Sequence, residues 1–61
     1  MKNIIEFGAT TFEIGDKSFF GVYQKYEDGL IEIIEEFQSK GEAFSRAAFL
    51  GEKSDLPVYL R

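Results

Sequence analysis

The carboxylates Glu32, Glu35 and Glu36 are the densest set of groups in this chain that could do chemistry. Two acids held close together can divide the work of general acid and general base, or bind a hard cation. In the stretch "LIEIIEEFQS", Leu30 to Ser39, these residues interleave with Leu30, Ile31, Ile33, Ile34 and Phe37, so the plainer reading makes them the solvated side of an amphipathic element. The chain contains no His and no Cys. That removes imidazole bases, thiol nucleophiles and the usual zinc ligands together. "GDKS" at 15–18 carries the Lys-Ser pair of a phosphate loop, but Asp16 separates Gly15 from Lys17 and strand-like sequence follows, so it reads as a hairpin turn. No Asp-rich loop has calcium spacing. No catalytic, cofactor-binding or metal-binding residue is assigned, and a non-enzymatic protein is expected.

Binding chemistry is the alternative. Phe19, Phe20 and Tyr23 in "SFFGVYQKY" could form a stacking platform for single-stranded nucleic acid, but such platforms sit in basic grooves. Here the net charge is −4, and the seven Lys and Arg are scattered at positions 2, 17, 25, 40, 46, 53 and 61. Direct nucleic-acid binding is therefore not expected. The same charge balance supports a different reading, in which Glu32, Glu35 and Glu36 imitate phosphates and occupy a nucleic-acid-binding protein.

These side chains must be positioned by one small domain spanning residues 1–61. A chain of this size buries only about 60% of the surface its unfolded form exposes, and it has no disulfide to help. The N-terminal "MKNIIEFG" opens as a signal peptide does, but Glu6 arrives before an apolar segment of the usual length, so a cytoplasmic protein is expected. No apolar run approaches a membrane span, and no membrane role is expected.

Residues 3–7 and 10–14 are short Ile-, Phe- and Thr-rich runs separated around Gly8 and closed by "GDK", which predicts two strands. In the second, Phe12 and Ile14 share one face, as in a half-buried strand. Ser18 to Tyr26 predicts the best strand of the chain. "EDG" at 27–29 is a hairpin signal. A two-residue turn pairs Phe20 with Phe37 and Lys25 with Glu32; a three-residue loop pairs Tyr23 with Ile33 and Phe19 with Phe37. A slip between them exchanges faces, so the core face stays open.

"LIEIIEEFQS" fits an amphipathic helix as well as a strand. Its neighbours favour a strand: the hairpin turn stands before it, and the capping box Ser39-Lys40-Gly41-Glu42 after it requires a helix that starts at residue 40. That helix gathers Ala43, Phe44, Ala47, Ala48 and Leu50 on one arc, with Gly51 as its C-terminal cap and Phe49 off the arc. Residues 56–60, "LPVYL", predict a short extended segment that Pro57 confines to an edge; Phe49 either receives this segment or belongs to an interface. The expected fold is α+β: a small antiparallel meander of about four strands, one C-terminal helix on one face, and a short final strand.

The hairpin ending in F-x-S-x-x-E-A and followed by a short Ala-rich helix is similar to many small bacterial and phage α+β proteins. The resemblance covers residues 18–50 and implies neither a family nor site residues. Two features point to a partner. Phe19 and Phe20 are consecutive, as are Ile33 and Ile34, so a strand sends each pair to opposite faces and one helix covers only one of them. Phe19, Tyr23, Ile33, Ile34 and Phe49 are the candidate interface residues. The reading is an adaptor, inhibitor or regulator of bacterial or phage type that binds another protein and is capable of homodimerising.

Overall fold

In the computed structural model, which describes residues 3–61, the chain forms one four-stranded sheet with a helix on one side. The elements are β1 (Ile4–Ile14), β2 (Lys17–Tyr26), β3 (Ile31–Phe37), α1 (Lys40–Ser54) and β4 (Val58–Leu60). The strand order is β3-β2-β1-β4. The first three strands form an antiparallel meander, and α1 then crosses β2 and β1 so that β4 runs parallel to β1 at the far edge. The expected α+β fold with a helix on one face is what the chain adopts.

The N-terminal half differs from expectation. Residues 3–7 and 10–14 are not separate strands: β1 runs unbroken through Gly8, with a bulge at its start between Ile4 and Glu6. Gly8 does not end the strand because it provides room on its face. A side chain there would collide with the Tyr23 ring, and one at Gly21 would collide with the Phe12 ring. Each aromatic ring packs over the glycine of the neighbouring strand and shields backbone that the glycine leaves bare.

"LIEIIEEFQS" is a strand followed by a helix cap. Ser39 is extended (φ −116°, ψ 133°), and its hydroxyl accepts the Glu42 N–H at 3.4 Å, the first half of the expected capping box. At the other end the helix runs past Gly51, which is interior and not the cap. Asp55 takes the left-handed conformation at φ 57° instead, with Leu56 N–H bonded to Gly51 O and Asp55 N–H to Glu52 O, a Schellman closure. Gly51 is needed for a different reason: the Val58 side chain occupies the space its Cβ would fill. Ala43, Ala47 and Gly51, four residues apart, are the buried positions of the helix, so small residues let it sit close to the sheet. Ala48, expected on this arc, is exposed.

The core lies between α1 and the inner face of the sheet. Ala9, Val22, Ala43 and Ala47 are fully buried, with Phe20, Ile34, Phe37, Phe44, Leu50 and Val58 packed around them. Of the aromatic residues, only Phe7 is buried, at 5% exposure. The face of β1 that packs here carries Phe7 and Ala9; the Phe12 and Ile14 face, read from sequence as the half-buried one, is turned away from the helix. Both faces of β1 are apolar, so alternation alone could not tell them apart.

Candidate functional site: the open face of the sheet

The hairpin between β2 and β3 builds this site, and it combines the two registers that the sequence left open. Beside the turn, Glu27-Asp28-Gly29 forms a three-residue loop, with Gly29 at φ 93° and Tyr26 N–H bonded to Leu30 O at 2.9 Å. Tyr23 therefore pairs with Ile33 and Lys25 with Ile31. A bulge opposite Val22 and Tyr23 then shifts the ladder by one, so that Gly21 pairs with Glu36 and Phe20 with Phe37. The physical reason is in the spacing. Ile34 and Phe37 are three apart, and an unbroken strand would send them to opposite faces; the bulge returns both to the core.

The same bulge divides the acidic cluster. Glu35 opposes the core residue Val22, on the helix side, where its carboxylate meets the Arg46 guanidinium at 2.6 Å. Glu32 lies opposite Gln24, and its carboxylate accepts from Gln24 Nε2 at 2.6 Å and from the Tyr26 hydroxyl at 2.9 Å. Glu36, opposite Gly21, points to the outer face. These acids do not form a row. They line an edge strand, where charges and a bulge discourage pairing with a stray strand.

What the strands bring together on the outer face is aromatic. Phe12 stacks on Phe19 with ring centroids 5.8 Å apart, and meets Tyr23 edge-on at 6.4 Å. The helix is on the other side of the sheet, the N-terminal run is the central strand β1, and β4 forms the edge, so none of them lies over this face. Among the described residues nothing covers it. Ile14, Ile31, Ile33 and Tyr59 are exposed there, Ile33 at 38% and Tyr59 at 48%. The charged groups that the described residues place on the face are Glu6, Lys25 and Arg61, which line a shallow depression with Tyr23, Ile31 and Tyr59, together with Lys17 and Glu36. Burial first, and then the Glu6 carboxylate, push the Tyr23 hydroxyl above its ordinary value of 10.0; Arg61 pulls the other way.

Of the interface candidates, Phe19, Tyr23 and Ile33 meet on this face. Ile34 does not: it packs against the core, on the helix side. Phe49 is elsewhere too, on the outer side of α1, 52% exposed, with the Arg46 guanidinium 5.5 Å from its ring centroid. It does not receive residues 56–60, because the vacant side of Gly51 draws Val58 instead. Phe49 and Phe37 line a separate open groove with Gly41, Glu42, Ser45 and Arg46.

Sequence reasoning missed Phe12, Tyr59 and Arg61 as members of the site. For Phe12 the signal was present in its alternation with Ile14; the missing fact was that Phe7 and Ala9 fill the other side. Among the described residues no group of acids could hold a metal ion, and no helix is long and apolar enough to cross a membrane. Comparison with protein-family profiles, curated proteins and solved structures found no match to this chain.

Proposed function

We propose that this chain is a non-enzymatic interaction module of the cytoplasm, and that it binds protein through the open face of its sheet. The observation that carries the reading is a four-stranded sheet packed on one side only, whose other side holds Phe12, Phe19, Tyr23, Tyr59, Ile31 and Ile33. A contiguous apolar area of this kind on a small domain marks a contact surface. Tyr and Phe at its centre with charges around them match the composition of protein interfaces. Charges of both signs, Lys17, Lys25 and Arg61 against Glu6 and Glu36, suit a protein surface better than a phosphate backbone. An adaptor, inhibitor or regulator would use such a surface in the same way.

The adjacent pair Ile33 and Ile34 tests this. Ile33→Glu should keep its folded circular-dichroism spectrum and, at protein concentrations where the parent is monomeric, lie within about 1 kcal/mol of it in urea unfolding, because the side chain then stays in water. Binding, whether to a second copy or to a native partner, should be lost. Ile34→Glu should cost about 2–4 kcal/mol, because it puts a charge against the core. Equal destabilisation by both, or full binding by a folded Ile33→Glu protein, would contradict the proposal.

A further inference from the structure

The occupant of the open face can be named from the order of its residues. Because cross-strand partners share a level in the sheet, the face can be read as rows running from β3 to β4. One row is Ile31, Lys25 and Glu6; the next is Ile33, Tyr23, Gly8 and Tyr59. The third begins with Glu36 on the β3 edge and continues through Gly21 and Thr10; Arg61, one residue beyond the Leu60–Ala9 pair, follows on the β4 edge. The last two rows are Phe19 with Phe12 and Lys17 with Ile14.

A twofold axis lying between two such faces and parallel to the strands exchanges the edges and leaves each row at its own level. It sets Glu36 of one chain over Arg61 of the other, and does so twice. In the first row it sets Lys25 over Glu6, again twice. Phe19 then faces Phe12, and Ile33 faces Tyr59. Every charge that the described residues place on the face, except Lys17, meets its opposite, which is the self-complementarity a twofold interface requires. Stacked sheets cross at about 30°, which shifts Glu36 and Arg61 along the strand because they lie on the edge strands, but their row is midway along the sheet and both side chains are long enough to span the shift. The molecule's two longer dimensions, 34 and 22 Å, bound the face at about 750 Å² in outline, of the order of the ~800 Å² per partner of a standard-size interface.

We infer that the open face is occupied by a second copy of this chain, packed sheet on sheet about an axis parallel to the strands, with reciprocal Glu36–Arg61 contacts. The inference rests on the proposed use of this face and adds its occupant and orientation. Sedimentation equilibrium on the parent chain, Glu36→Arg, Arg61→Glu and the double exchange tests it, each folded by circular dichroism. The parent should be a dimer. Each single reversal, which creates two repulsive contacts per dimer, should weaken association at least about tenfold, and the double exchange should restore it. A dimer indifferent to all three variants would overturn the inference. A monomer that binds a dye for apolar surface, and loses the dye in Ile33→Glu, would overturn it and leave the face for a different protein. A monomer that binds no dye would overturn both the inference and the proposed use of the face.

Discussion

Ile33 and Ile34 are identical side chains one peptide apart, and the sheet gives them opposite environments. Ile34 packs against the buried cluster, while Ile33 stands beside Tyr23 in solvent. In a regular strand their adjacency sends them to opposite faces, but which face the helix covers depends on packing partners distant in the chain. Tyr23 reports on the same surface through its hydroxyl. Its titration should lie above the ordinary value of 10.0, and Glu6→Gln should lower it, since the nearby carboxylate disfavours the phenolate. The linked stability follows in sign: the folded form holds this proton more tightly, so the contribution is complete below the unfolded-state value and is lost as pH rises through the folded one. An NMR titration of the Tyr23 ring carbons reads this directly. A Glu6→Gln midpoint equal to or above the parent's would contradict the arrangement.

At the scale of elements, the signals that survived were those satisfied locally. Ser39 caps the helix because its hydroxyl needs only the N–H three residues on, and "EDG" turns the hairpin because Gly29 accepts a positive φ. Gly8 and Gly51 were misread as ends of elements for a shared reason. Glycine also serves where another group must approach, and that group, Tyr23 or Val58, is far away in sequence. The bulge in β3 had a sequence signal in the odd spacing of Ile34 and Phe37, although nothing local required it. Gly51→Ala tests this reading against propensity. Alanine favours a helix interior by about 1 kcal/mol, yet overpacking against Val58 should cost about 1–3 kcal/mol, leaving a net loss. Urea unfolding should show that loss, and Val58→Ala in the same chain should relieve part of it. A more stable Gly51→Ala protein would mean that α1 and β4 do not meet as described.

For the whole molecule, one helix on a four-stranded sheet leaves a face unburied, and in a chain this short that face carries aromatic residues the core cannot take in. The α+β class was legible from turns, caps and alternation. The candidate site was legible only in part: Phe19, Tyr23 and Ile33 belong to it, whereas Ile34 and Phe49 are placed elsewhere by the bulge and by the fit of Val58 on Gly51. The acids Glu32, Glu35 and Glu36 are divided between the two faces, which leaves the aromatic face as the principal feature of the surface. Amide chemical shifts of the ¹⁵N-labelled chain, followed from micromolar to millimolar protein, test the claim that this face is the working surface most directly. Changes confined to Phe12, Phe19, Tyr23, Ile33, Tyr59 and their neighbours on the sheet are the expected result. Changes centred on Phe37 and Phe49 in the groove beside α1 would contradict it.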